Sequence, residues 1–134
     1  MDCRATVKEL GIEIKAVSEK QREYAVSLTN DFLITLSNMV SVAFNKRHDL
    51  DGDINEAWQT KYEYLTRKWN EKIELIKGME ASEIIDKMKA GKFQGCVPFS
   101  ITKIEKKADE IFSEKKKEVF ARQVANGEII ITKA

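Results

Sequence analysis

Apolar residues recur along most of this chain with the spacing of amphipathic helices. In the first such segment two neighbouring stripes stand three or four positions apart, so this helix has to be covered on more than one side. Ser18 and Gln21 have the spacing of a capping box, which predicts that the helix begins there and runs to about residue 48. We expect it to be the central helix. The stripes are Ala25, Leu28, Phe32, Leu36, Met39 and Ala43, and Val26, Leu33, Val40 and Phe44.

A second helix is predicted over about 54–77. Asp53 has the position of its N-cap, and Gly78 is placed to end it in a left-handed conformation. Its apolar residues fall on one side, which predicts that they pack inside the protein. These residues are Trp58, Tyr62, Leu65, Trp69, Ile73 and Ile76.

Two more helices are predicted in the second half of the chain. One covers about residues 80–90 and is ended by Gly91. The other begins at Ser100. Its segment SEKKKE, residues 113–118, has no apolar residue, so the helix either breaks at Ser113 or projects into water.

Short segments near the two ends have strand-like patterns. Ile12 and Ile14 alternate with charged residues in GIEIKAV, residues 11–17, and EIIIT, residues 128–132, has the composition of a strand. A lone two-stranded ribbon is marginally stable, so its isoleucines would need cover from the helices or from another chain. The sequence therefore predicts a mainly α protein, residues 1–134 forming a single domain of four or five helices, with a small terminal ribbon as an optional addition.

Composition limits the classes of partner. The 134 residues are 43% hydrophobic, enough for one core, and 23 Lys and Arg nearly balance 22 Asp and Glu, so no overall field attracts polyanions. The uncharged segment at residues 32–44 is shorter than the roughly 20 apolar residues that cross a membrane, and we expect no membrane segment. Cys3 and Cys96 form no CxxC pair, and the chain starts without a signal-like apolar stretch. We therefore expect reduced thiols in the cytoplasm.

The acidic stretch HDLDGD, residues 48–53, invites comparison with a calcium loop. Asp49, Asp51 and Asp53 fill the first three ligand positions of an EF-hand, but Ile54 occupies the position of its glycine and Thr60 that of its bidentate glutamate. We expect the stretch to reverse the chain between two helices, and we predict no metal and no cofactor.

No catalytic signature accompanies the predicted helices. His48 is the only histidine, no serine has the glycines of a nucleophile elbow, and no glycine-rich phosphate loop is present. A catalytic role for His48 with the neighbouring aspartates is a formal alternative. The sequence predicts a protein that is not an enzyme.

Candidate contact residues lie outside the predicted apolar stripes. Tyr64, with Lys61 and Lys68 at helical spacing, has the composition of an exposed aromatic residue with basic neighbours. The loop GCVPFS contributes Cys96 and Phe99. Lysines at 115–117 are a further candidate for contact with phosphate or with an acidic partner, and they are Lys115, Lys116 and Lys117.

Two segments resemble a known module. The first is SEKQREYAVSL, and its matching residues are Lys20, Gln21, Tyr24, Ala25 and Leu28. The second is MEASEIIDKM, and its matching residues are Glu80, Ala81, Ser82, Ile85 and Met88. Together they are similar to the paired helices of a small module appended to phage recombination proteins, topoisomerase tails and other mobile-element proteins. The module has a short connection between its helices, whereas the whole second helix intervenes here. The resemblance implies a phage or plasmid setting and attachment to nucleic-acid machinery, without an enzymatic activity.

Two functional interpretations stay open. The first is a non-enzymatic phage or mobile-element protein that binds and modulates, or inhibits, a partner protein through a polar interface. The alternative is a nucleic-acid-binding accessory module that uses the basic second half, since residues 61–134 contain sixteen basic and twelve acidic groups. Homodimerisation is open in both interpretations, because the central helix and the terminal isoleucines need cover.

Overall fold

Four helices make up most of the protein in a computed structural model, which describes residues 6–47, 52–96 and 98–127. They are α1 (Glu19–Lys46), α2 (Gly52–Lys77), α3 (Ala81–Gln94) and α4 (Ile101–Ala125). The prediction of a mainly α bundle is confirmed. Across the described ranges, no helix combines the length and the apolar character needed to cross a membrane.

Helix α1 begins as its capping residues predict. The Gln21 backbone N–H donates to Ser18 Oγ over 3.2 Å, and Gln21 Oε1 accepts from the Val17 N–H over 3.0 Å. Residues of both predicted stripes are buried, including Leu33 and Leu36. Because α1 contacts each of the other three helices, its predicted central position is confirmed.

Contacts between the helices give their directions. The Phe44 and Tyr62 rings are in tilted contact, with centres 5.6 Å apart, and Arg47 donates to Gln59 Oε1 over 2.9 Å, so α1 and α2 are antiparallel. Helix α3 then runs in the direction of α1. Its first residue, Ala81, lies at the segment preceding α1, while Lys89 lies over the Tyr24 ring.

Helix α4 continues in that same direction and packs antiparallel to α2. Lys61 pairs with Asp109 over 2.8 Å, and further back along α2 Glu56 pairs with Arg122 over 2.6 Å. The helix is unbroken through Ser113. The predicted break is therefore wrong, and the helix does not project into water either, because Val119 and Gln123 beyond the SEKKKE segment are buried.

The junction between α3 and α4 corrects one prediction. Gly91 does not end α3, which continues to Gln94 and is closed by Gly95 in the left-handed conformation, with φ of 65°. Gly91 is buried against the backbone of Phe99, and a Cβ atom there would overlap the Phe99 carbonyl group. Ser100 then caps α4 by accepting from the Lys103 N–H over 3.3 Å.

Residues 12–16 form an extended strap across the helices, and the prediction of a β-strand there is wrong. Ile12 and Ile14 point into the core as the alternation predicted. The strap carbonyls, however, bind helical groups instead of a second strand: that of Ile14 accepts from Arg22 Nε over 3.0 Å, and that of Lys15 accepts from the Ala81 N–H over 2.8 Å. The other half of the predicted ribbon, residues 128–132, lies outside the described residues.

One cluster of buried residues joins the strap to all four helices. Ile14 from the strap, Leu33 from α1, Leu65 from α2, Ile84 from α3 and Ile104 from α4 all belong to it. Trp69 is buried in this cluster, so its predicted place in the interior is confirmed. Trp58 is only partly buried and packs against the cluster.

Candidate functional site

Tyr64 is not the exposed aromatic residue that its position off the apolar stripe predicted. It is 8% exposed and belongs to the core, and this burial raises the pKa of its phenol. Lys68 Nζ and the Arg67 guanidinium lie 5.7 and 5.9 Å from the centre of its ring. The buried face of α2 is wider than its six-residue stripe, which is why the sequence reading placed Tyr64 wrongly.

The two lysines predicted beside Tyr64 bind carboxylates of the protein itself. Lys61 is largely buried, pairs with Asp109 and lies 5.1 Å from the centre of the Trp58 ring. Lys68 pairs with Glu71 over 3.3 Å. The structure therefore does not bring these lysines together into a basic aromatic patch.

Cys96 and Phe99 lie in different surroundings, although both belong to the predicted contact loop. Cys96 is an exposed free thiol. Phe99 is 2% exposed and packs edge-on against Phe32, with ring centres 5.2 Å apart. The expectation that Phe99 is a surface contact residue is wrong, because its ring fills the core where α3 and α4 meet α1.

The lysine run on α4 is a mixed surface. Lys116 and Lys117 are exposed, whereas Lys115 pairs with Glu118 over 3.1 Å. Glu114 is exposed within the same run. The structure therefore places the predicted lysines on a solvated face of mixed charge.

The acidic turn lies largely outside the described residues. These exclude His48, Asp49 and Asp51, together with the side chain of Asp53. In the part of the chain that the structure does describe, no group of three or more metal-ligating side chains is assembled.

A set of exposed apolar side chains on α1 was missed by the sequence reading. Tyr24, Ile34 and Val42 are 43%, 40% and 51% exposed, and we call them the α1 strip. They belong to neither of the two apolar stripes that the pattern assigned to the core. The sequence could have identified these three residues, because apolar residues that lie outside both buried stripes of a helix are candidates for an exposed apolar face.

Two open cavities lie beside the α1 strip. The first, of about 410 Å³, lies between α1 and the junction of α3 with α4; its lining includes Phe32, Met88 and Phe99, with Ile34 at its border. The second, of about 360 Å³, is lined by Val42 and Trp58 among others. Both include Thr35, so they adjoin along α1, and we call them together the α1–α4 groove.

Charged residues of both signs border each cavity. Lys92 and Asp31 lie at the first cavity, and Lys61, Glu105 and Asp109 lie at the second. Asp109 is 59% exposed at its side chain although it binds Lys61, so it retains an accessible oxygen face. The groove thus combines an apolar lining with a polar border, which can hold an apolar side chain of a partner and orient its charged neighbours.

No protein-family model, curated protein or solved structure matches this chain. The resemblance to the two-helix module stays a prediction. The helices that carry it, α1 and α3, pack against each other.

Proposed function

We propose that this protein is a non-enzymatic interaction protein, of phage or mobile-element type, that binds a partner protein and modulates or inhibits it. The observation that carries the proposal is the α1–α4 groove with the exposed α1 strip beside it. Exposed apolar side chains beside an apolar cavity with a polar border are typical of protein-binding sites. The partner would insert apolar side chains into the two cavities.

The geometry of the groove suits an elongated partner segment. Its lining runs along α1 from Leu28 to Val42, about 21 Å at the rise of an α-helix. Amphipathic helices bind such grooves through anchors three or four residues apart. The phage or mobile-element setting rests on the resemblance carried by α1 and α3.

Site-specific crosslinking tests the proposal. A photo-crosslinking amino acid replaces Asn38, which is exposed and lines the groove, and in a matched control it replaces Asn70, which is exposed on α2. Each protein is exposed to nuclease-treated lysate of its native host. From position 38 we expect a discrete adduct between this chain and a different protein, identified by mass spectrometry, that is absent from position 70. An adduct of two copies of this chain is not counted as a partner.

A substitution in the groove completes this test. Ile34→Glu places a charge among the apolar residues of the first cavity and is expected to abolish the adduct at position 38 while the helical content is unchanged. An adduct that persists in this variant, or equal labelling from both positions, would contradict binding through the groove.

Exposed Lys116 and Lys117 support a second candidate, nucleic-acid binding. Each phosphate contact releases counterions, so affinity for a DNA or RNA duplex would fall steeply with salt concentration. Replacing Lys115, Lys116 and Lys117 by alanine is then expected to flatten the dependence of the logarithm of affinity on the logarithm of salt concentration. An unchanged slope would remove these lysines from that role.

A further inference from the structure

The three residues of the α1 strip are arranged almost symmetrically about Ile34. Tyr24 lies ten positions before Ile34 and Val42 eight positions after it, which corresponds to about 15 Å and 12 Å along the helix. A second α1 helix lying antiparallel across the first at Ile34 would therefore bring Tyr24 of each copy close to Val42 of the other. The apolar part of the strip is self-complementary.

The charged residues beside the strip are also arranged to pair with those of a second copy. Lys89 lies over the Tyr24 ring, 5.1 Å from its centre, and Lys92 lines the first cavity. Glu105 and Asp109 line the second cavity, towards Val42. Asp31 also lies at the first end and Lys61 at the second, so the first end has one basic group in excess and the second has one acidic group in excess.

We propose that the α1 strip binds the same strip of a second copy of this chain, about a two-fold axis that passes between the two α1 helices, perpendicular to both, at the level of Ile34. This operation places the two Ile34 side chains together. It also sets Lys89 and Lys92 of each copy opposite Glu105 and Asp109 of the other. Such an interface is isologous, so each favourable contact occurs twice.

This dimer would cover the surface that the proposed function assigns to a partner protein. The partner and the second copy therefore compete for the α1–α4 groove. Binding of the partner would dissociate the dimer. The inference uses the same surface as the proposed function, but the dimer forms without the partner and can be measured in its absence.

The mass of the purified full chain in solution tests the inference. Sedimentation equilibrium from micromolar to millimolar concentration is expected to show a rise from the 15.4 kDa of one chain to twice that mass. Ile34→Glu should remain monomeric throughout. Leu75→Glu, at a residue of similar exposure on α2, is the matched control and should dimerise like the wild type.

Charge reversal tests the proposed pairing itself. Lys92→Glu and Glu105→Lys each oppose like charges twice across the axis, so each is expected to weaken dimerisation about tenfold or more. The double variant restores opposite charges and should recover dimerisation to near the wild-type level. Circular dichroism and the urea midpoint of every variant establish that the chain is folded.

Several results would overturn the inference: a monomer at every concentration, a dimer that survives Ile34→Glu, or a double variant as weak as either single one. Its failure is distinguishable from that of the proposed function. A monomeric wild type that still gives the groove adduct in lysate contradicts only the dimer. A dimer with the expected charge dependence and no such adduct contradicts only the partner.

Discussion

Gly91 lies inside α3, where glycine ordinarily lowers helix stability by about 1 kcal/mol relative to alanine. Its use there follows from the backbone of Phe99, which approaches so closely that a Cβ atom would overlap the carbonyl group. The missing side chain allows the segment between α3 and α4 to fold back onto α3. Phe99 can then pack against Phe32 in the core.

Gly91→Ala is therefore expected to lower the free energy of unfolding by about 2 kcal/mol or more, through overpacking against a backbone that has little freedom to move. Urea denaturation followed by circular dichroism measures this loss. The control is Gly78→Ala, where the nearest atom is the Leu75 carbonyl oxygen at 3.8 Å and the φ angle is not in the left-handed region. Equal stability of the two variants would contradict the close approach.

Burial of Tyr64 gives a prediction for alkaline pH. Its pKa is raised above 10.0, chiefly by burial, so folding favours the protonated phenol. The stability that this contributes is present below the unfolded-state pKa and is lost as pH rises through the folded-state pKa. Wild type should therefore lose unfolding free energy more steeply than Tyr64→Phe as the pH rises above about 10. Parallel curves for the two proteins would show that Tyr64 is accessible in the folded state.

At the scale of elements, the strap joins parts of the bundle that are far apart in sequence. Ile12 and Ile14 enter the core, and the Lys15 carbonyl accepts from the first amide of α3. The first amides of a helix have no partner within it, so this bond substitutes for a side-chain cap at Glu80, which forms none. The strap thereby fixes where α3 begins beside α1.

Ile14→Ala is expected to lower the free energy of unfolding by about 2–4 kcal/mol, because it leaves a cavity under the strap. Lys15→Ala is the matched control; its side chain is exposed and its carbonyl is retained, so stability should change little. Urea titration measures both, and hydrogen exchange at the Ala81 amide should accelerate only in the Ile14 variant. A small loss in the Ile14 variant would mean that the strap does not contribute to the core.

At the scale of the whole molecule, the buried cluster includes the strap and all four helices. A shared core of this kind predicts one cooperative unfolding transition. Tryptophan fluorescence, which reports on α2 through Trp58 and Trp69, and the helical circular dichroism signal should therefore give the same urea midpoint. Loss of helical signal ahead of fluorescence would show that another helix unfolds independently and would contradict a single domain.

The apolar periodicity was enough to locate all four helices, and the capping residues of α1 placed its start correctly. These features are local, because amphipathic spacing and side-chain caps act within a few residues. The same pattern also identified Trp69 as buried and the alternate residues of the strap as core.

The candidate site depended on contacts that no local pattern contains. From the sequence, Gly91 was predicted to end α3, whereas in the structure it makes room for the backbone of Phe99. Tyr64 was predicted to be exposed, whereas the buried face of α2 is wider than the predicted apolar stripe and includes it. The strap has the alternation of a strand, but its Ile14 and Lys15 carbonyls accept hydrogen bonds from α1 and α3, and its Ile12 N–H donates to the Val7 carbonyl.

The sequence by itself determined which segments are helical and which of their residues form most of the core, because burial of an apolar stripe follows from its spacing. Only the tertiary structure decided that α3 and α4 follow one another along one side of α1 and leave Tyr24, Ile34 and Val42 uncovered. That arrangement depends on the close contact at Gly91 and on the pairing of α2 with α4. Both join residues distant in the chain, so no local spacing encodes them.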